Sequence, residues 1–501
     1  MIHKNFLRNS YRGVGLAAVA AGVFLAVYGV WLPYSFWLDE LFSVAASSST
    51  LQVMFSEFML PDVHPPLYQL ILKGWMAVFS SGETAARLLS VLFALGGLIV
   101  LWLWGRRRLS PTALTGVLGF YATNNLFIYY AQEVRAYALM LLLSTVVTLL
   151  YIEIHGHGTD SSKGMMLLWV GLGLSLTHYF GWLYYGVILV YLLTNSLRFQ
   201  EFKDSLLMVL FGLAALVWPV GHFLLGGPGY KSGGNFWIAS EGWDTTLSTV
   251  ALALFPQING GFARILGSEG PLLPALACMA VLGGLVLLNL VKSKPGRCRA
   301  GERTALRGVL FPWLSVVALL VVIDYFTPLS TARNYIVLLP GAAIAAGRAL
   351  EEIYRKSRGG ALVLLLLLVV TNLGGFAVYN NSWEGRLVTE DHQAIAAYIH
   401  GVREEDGSRV YYLKGEDDLA PAMDKVARFY LNRLSPLVAD SLVGVSLEMV
   451  DGLTPPYLLY RLHSGEDMDR VLEACEVSGR ETESFVPEQK GSGTFVIHVM
   501  E

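Results

Sequence analysis

The chain has 501 residues, of which 54% are hydrophobic and only 15% charged, with a mean hydropathy of +0.51. A soluble globular domain carries nearer about 25% charged residues, so a soluble multidomain protein is excluded. From Asn380 to the end there are 11 Lys+Arg against 22 Asp+Glu, a net charge of −11, while residues 1–379 carry a net of +8. An acidic tail therefore follows a basic apolar part, and no stretch has the basic patch of a nucleic-acid-binding protein.

Lys4, Arg8 and Arg12 precede an apolar stretch from Val14 to Pro33. That stretch is long for a signal peptide and no small-residue cleavage site follows, so it reads as a retained first helix. A membrane span needs about 20 apolar residues. On that basis the predicted spans are roughly 14–33, 84–105, 112–129, 136–154, 164–180, 182–197, 205–225, 271–291, 308–325, 335–350 and 360–379. The fold expected is mainly α, a polytopic bundle of about eleven membrane helices over residues 1–379, followed by a small α/β domain over 380–501.

Alternate connections are basic: Lys4 to Arg12, Arg106–Arg108, Lys163, Arg198/Lys203, Lys292 to Arg307, and Arg348 to Arg358 hold 19 of the 25 Lys+Arg before Asn380. The positive-inside rule places these in the cytoplasm, so the other loops and the acidic tail are expected outside.

The first of those outer loops reads FWLDELFSVAA and then PDVHPPLYQL. Asp39, Glu40, Asp62 and His64 crowd an otherwise apolar segment, where charge beside hydrocarbon is costly and usually functional. Carboxylates with an imidazole can act as a general base or as ligands of a divalent ion, and Asp62 and His64 are the pair suited to a metal. The structural alternative for Asp39 is helix capping. Residues 66–81 are apolar but short and contain Lys73, so they are expected at the interface or against the next span.

YYAQEVRAYAL, residues 129–139, sets Gln132, Glu133 and Arg135 among aromatics. A guanidinium suits bidentate phosphate recognition; tyrosine anchoring with a snorkelling arginine is the plainer reading. His178 and Tyr179 end the fifth span. The glycine-rich segment 226–237 lacks the P-loop pattern and reads as a loop over the site, with Lys231 and Trp237 as possible contacts. Arg333, just before the tenth span, goes against the charge bias of the outer loops, which a phosphate partner would explain. Cys278, Cys298 and Cys475 stand in unrelated contexts and imply no disulfide framework. In the tail, helical patterns alternate with RVYYL, PYLLYRL and TFVIHVM, the mark of a packed sheet.

An Asp-Glu pair directly after the first span, then an acidic-x-His-Pro-Pro-Leu-Tyr stretch, resembles the GT-C glycosyltransferases, in particular the bacterial branch similar to protein O-mannosyltransferases and lipid A aminoarabinose transferases. The tail carries no motif of that family. The resemblance implies an inverting transfer of a sugar from a polyprenyl-phosphate donor to a glycan, lipid or protein acceptor, on the extracytoplasmic side of a bacterial inner membrane. It implies Asp39 as the base, with Glu40 and Asp62 in the catalytic group, and places Arg135, Arg333, His178, Tyr179, Gln132 and Glu133 near the donor phosphate. Metal dependence varies among such enzymes, so a divalent ion is left open. The alternative is a transporter or flippase of lipid-linked sugars, but transporters place polar groups at mid-membrane in repeated, broken helices, and no repeat is present here.

Overall fold

The structure, a computed structural model, describes residues 2–32, 34–62, 64–157, 161–198, 202–225, 249–250, 300–326, 329, 331–380, 391–413, 420–434, 436–461, 468–476, 481–487 and 494–500. The predicted span 271–291, Cys278, Cys298 and the Lys231/Trp237 loop lie outside the described residues.

The remaining predicted spans coincide with helices. They are α1 (Ile2–Tyr28), α5 (Glu83–Arg108), α6 and α7 (Pro111–Thr123 and Asn125–Tyr130), α8 (Tyr137–His157), α9 (Ser161–Ser175), α10 (Tyr179–Arg198), α11 (Phe202–Leu224), α12 (Ala300–Phe326), α13 (Leu339–Lys356) and α14 (Arg358–Asn380). Between α1 and α5 lie α2 (Leu38–Ser48), the short α3 (Leu51–Val53), which runs on as a π turn through Met59, and α4 (Leu67–Val78). Among the described residues four helices are long and apolar enough to cross a membrane: α1, α5, α8 and α11. Of the apolar window in α8, 78% is buried, against 11% in α11. The bundle is thus built around α8 and leaves α11 an apolar outer surface suited to lipid.

The predicted span 112–129 is two helices rather than one. Asn124 is extended, and its Oδ1 accepts from the Leu126 N–H at 2.9 Å, capping α7. An asparagine offers this local bond in place of the helical ladder. The span predicted at 335–350 likewise begins as a 3-10 turn, Ala332–Leu338, before α13. α6 and α13 approach backbone to backbone at Gly116 and Gly347; a Cβ on Gly347 would lie 2.6 Å from the Ala113 carbonyl oxygen. Small residues let membrane helices pack this closely. Polar stitches are paired across helices: Tyr121 with Thr145 at 3.0 Å, Thr148 with Tyr184 at 2.8 Å and Asn372 with Thr123 at 3.0 Å. At the end of α5 away from Asp39, Glu153 accepts from Arg108 and Trp104 at 2.5 and 3.0 Å.

The C-terminal region holds α15 (His392–Asp406), β1 (Arg409–Leu413), α16 (Ala420–Leu434), α17 (Pro436–Ser441), β2 (Val443–Val445), β3 (Tyr457–Arg461), α18 (Met468–Glu476), β4 (Thr482–Phe485) and β5 (Phe495–Val499). The sheet order is β2-β1-β3-β5-β4, with β1 parallel to β2 and β3, and β5 antiparallel to β3 and β4. Alternate residues serve two cores, as a period of two demands. Leu459, Ile497 and Val499 pack with Val471 and the buried Cys475 of α18. Val410, Leu458 and Val496 face the other way, into a cluster that includes Ile395 and Val426 and continues into Phe36, Leu41 and Phe58. The α/β unit and the segment after α1 therefore share one core. Tyr430 of α16 accepts from the Phe36 N–H and donates to Glu83, both at 2.7 Å, while Arg433 reaches Glu83 at 2.8 Å and Lys425 pairs with Glu57.

Candidate active site

α2 begins after Trp37, and Asp39 and Glu40 fall in its first turn. Acidic side chains favour this end of a helix because the exposed N–H groups give it a partial positive charge. The capping residue is Trp37, not Asp39. Lys73 of α4 supports the other end of α2, donating to the Ser47 and Ser49 carbonyls at 3.2 and 2.5 Å.

The two neighbouring carboxylates have different surroundings. Glu40 is completely buried. Arg87 of α5 grips it through two bonds, Nε–Oε1 at 3.0 Å and Nη2–Oε2 at 2.6 Å. Arg87 also donates to the Tyr34 and Ser35 carbonyls, both at 2.9 Å. The Val134 N–H donates to Glu40 Oε1 at 3.0 Å. Glu40 thus ties α2 to α5 and to the turn that carries Arg135.

Asp39 opens the other way, with 27% of its side chain exposed. Arg333 Nη1 donates to its Oδ2 at 3.1 Å, and Arg135 Nη2 lies 3.7 Å from the same oxygen. Arg135 Nη1 also bonds the Asp39 carbonyl and Ser43 Oγ, each at 3.3 Å. Arg333 sits over the Tyr137 ring, 5.7 Å from its centroid. Burial alone would lower the pKa of Arg135, but Asp39, Tyr137 and Asp62 outweigh it and hold it above the ordinary arginine value. For Arg333, burial is likewise outweighed by Tyr137 and Asp39. Both therefore carry a full charge in a site of reduced dielectric, where a phosphate would be held strongly.

From Arg333 a line of rings leads to Asp62. Tyr137 and His178 are 5.7 Å apart, His178 and His64 5.1 Å. His64 Nδ1 lies 3.1 Å from Asp62 Oδ2. The Phe180 N–H donates to His178 Nδ1 at 3.2 Å, which fixes that ring in the turn between α9 and α10. Asp39, Asp62, His64, Arg135, His178 and Arg333 thus border one site. Among the described residues no group of three or more His, Cys, Asp and Glu side chains could hold a metal ion; Asp62 and His64 make a pair.

Of the other predicted residues, Gln132 and Tyr179 bond to other helices, while Glu133 lies close enough to act electrostatically on Arg333 and Tyr137. Gln132 Nε2 donates to the Leu25 and Ile128 carbonyls at 3.1 and 2.9 Å, joining α7 to α1. Glu133 is buried, and its carbonyl accepts from Ser90 Oγ at 2.5 Å. Tyr179 bonds His222 Nδ1 at 2.5 Å, and His222 Nε2 donates to the Leu60 carbonyl at 2.8 Å. Sequence reasoning did not assign Arg87 or Tyr137 to the site. An arginine one turn into an apolar helix was the available signal for Arg87, since it demands a buried partner.

The fold is that of a polytopic helical membrane bundle with a small C-terminal α/β unit. A family model described as dolichyl-phosphate-mannose-protein mannosyltransferase matches residues 63–222. Among solved structures, ArnT from Cupriavidus metallidurans in the apo state is similar with a TM-score of 0.59 at 13% identity, covering 96% of this chain and 97% of that one. The same protein bound to undecaprenyl phosphate gives 0.56 at 14% identity, with the same coverage. The Archaeoglobus fulgidus oligosaccharyltransferase in its apo form gives 0.43 at 13% identity, over 86% of this chain and 64% of that one. No curated protein sequence matches the chain.

Proposed function

We propose that this protein is an inverting glycosyltransferase that moves a sugar from a polyprenyl-phosphate donor to an envelope glycan, lipid or protein acceptor. The observation that carries the reading is the convergence of Arg135 and Arg333 on the partly exposed carboxylate of Asp39. A cationic pair beside a carboxylate suits the two ends of the bond to be broken. The guanidinium groups hold the leaving phosphate, and Asp39 takes the acceptor proton on the far side of the sugar. The acceptor oxygen bonds to the anomeric carbon, the bond from that carbon to the phosphate oxygen breaks, and direct displacement inverts the centre.

Charge balances through this step. Two arginines, an ionised Asp39 and a phosphodiester monoanion sum to zero. After transfer the leaving phosphate has become a dianion and Asp39 is protonated, and the sum is unchanged. A reaction that keeps net charge constant avoids the cost of unbalanced charge in a low-dielectric site.

Undecaprenyl phosphate bound to the similar ArnT supports a polyprenyl carrier here. The distribution of Lys and Arg supports a site and C-terminal unit facing outside a bacterial inner membrane. In this reading Asp62 and His64, across the ring line from Arg333, receive the acceptor or contribute two ligands to a divalent ion. The core that the α/β unit shares with the segment of Asp39 supports a part for that unit in selecting the acceptor.

The test is mass analysis of envelope glycans and lipids from a deletion strain complemented with wild type or Asp39→Asn. A sugar lost on deletion and restored by wild type alone is the expected result, with activity of the variant down by roughly 10²–10⁴-fold. Full restoration by Asp39→Asn would remove the base.

A further inference from the structure

Asp39 Oδ2 receives the Arg333 guanidinium and lies within ion-pair distance of Arg135. These are the same two cations to which the preceding reading gives the donor phosphate. We propose that the donor phosphate and the Asp39 carboxylate compete for this guanidinium pair, so that donor binding itself releases Asp39 to act as a base. The inference rests on that functional reading and adds an order to it: donor first, then activation of the acceptor.

The local construction permits the exchange. Arg135 does not depend on the carboxylate for its place, because its Nη1 is bonded to the Asp39 main-chain oxygen and to Ser43 Oγ. Arg333 has the Tyr137 ring beneath it. The two cations can therefore stay where they are when a carboxylate gives way to a phosphate. The backbone of Asp39 is fixed by its neighbour, since Glu40 is clamped by Arg87 and by the Val134 N–H. Only the short Asp39 side chain has to turn, and it is the most open of the three ionic groups, 27% exposed against 21% for Arg333 and 7% for Arg135. The donor phosphodiester offers the same cations two charged non-bridging oxygens, as the carboxylate does, and its sugar and lipid contacts add to its hold, so the exchange runs toward the phosphate. While Asp39 is held by the arginines, its Oδ2 lone pairs point at guanidinium protons and not at an acceptor hydroxyl. A water or acceptor arriving before the donor finds Oδ2 already engaged.

The competition makes a prediction opposite to that for an ordinary binding residue: removing the carboxylate tightens phosphate binding. The probe is undecaprenyl phosphate, titrated into the full-length protein in lipid nanodiscs. Wild type is compared with Asp39→Asn, Arg135→Ala and Arg333→Ala. Alongside, infrared difference spectra are recorded on protein carrying side-chain-carboxyl ¹³C-labelled aspartate. Asp39→Asn is expected to bind about tenfold more tightly, as loss of one charge-assisted competing contact implies. Both arginine variants are expected to bind more weakly, and a carboxylate band should shift on adding the lipid to wild type but not to Asp39→Asn. Equal or weaker binding by Asp39→Asn, with weakened arginine variants, would overturn the competition and leave the phosphate site standing. Tighter binding without the band shift would also overturn it, reducing the effect to simple repulsion. Unchanged affinity in both arginine variants would overturn the underlying reading as well.

Discussion

Asp39 and Glu40 are adjacent in sequence, chemically alike, and surrounded differently. On an α-helix successive side chains are about 100° apart, so neighbours cannot face the same partner. Glu40 turns into the protein and meets Arg87, 47 positions along the chain; Asp39 turns toward Arg333 and Arg135 and stays partly exposed. The Asp-Glu pair was legible in the sequence as a charged spot in an apolar loop. The division of labour was not, because it depends on which way α2 is rotated, and that is set by Phe36, Leu41 and Val44 packing in a distant core. The same limit applies to Gln132 and Tyr179. Tyr179 follows His178 and Gln132 lies three residues before Arg135, but each bonds to another helix. Glu40→Ala leaves a buried guanidinium without its carboxylate. We expect it to destabilise the protein by about 3–5 kcal/mol, read as a fall in thermal unfolding temperature in detergent or nanodiscs. Asp39→Asn, by contrast, should unfold at close to the wild-type temperature. Equal losses in the two variants would contradict the separate roles.

Hydrophobic length located the helices well, since about 20 apolar residues are a strong signal. It located their breaks poorly. Asn124 interrupts the third span with one side-chain bond to Leu126, and Ala332–Leu338 enters the tenth as a 3-10 turn. Both breaks lie near the site: Asn124 leads into the turn that carries Arg135, and the 3-10 turn carries Arg333. In the C-terminal region the five-residue strands β1, β3 and β5 stood out as apolar runs. β2 and β4, of three and four residues, have too little alternation to be seen without their partners. The α6–α13 contact is equally invisible in sequence, because it depends on Gly116 and Gly347 meeting. Gly347→Leu would drive a side chain against the Ala113 carbonyl and Val117. Overpacking of this kind costs about 1–3 kcal/mol, so a lower yield of monodisperse protein and a reduced unfolding temperature are expected on size-exclusion profiling. A wild-type profile would show that the helices can part freely there.

At the scale of the molecule, the acidic C-terminal unit and the segment after α1 are joined by a continuous apolar core and by Tyr430, Arg433 and Lys425. Composition marked the unit as different in charge but could not place it. Its seat on α2 gives the Asp39 helix a rigid back wall, and rigid supports keep catalytic groups in productive geometry. Tyr430→Phe removes the oxygen that accepts from the Phe36 N–H and donates to Glu83. An orphaned buried donor costs about 1–3 kcal/mol. Faster proteolysis between α1 and α4 is expected in that variant, and an unchanged rate would mean that the core alone holds the segment.

In the proposed reaction the donor phosphate is gripped at Arg135 and Arg333 beside Asp39. Cryo-electron microscopy of the wild-type protein in nanodiscs with undecaprenyl phosphate tests it most directly. Phosphate density is expected within hydrogen-bonding distance of both guanidinium groups, with the Asp39 side chain turned away from them. Phosphate density elsewhere in the bundle, with the arginines still paired to Asp39, would contradict it.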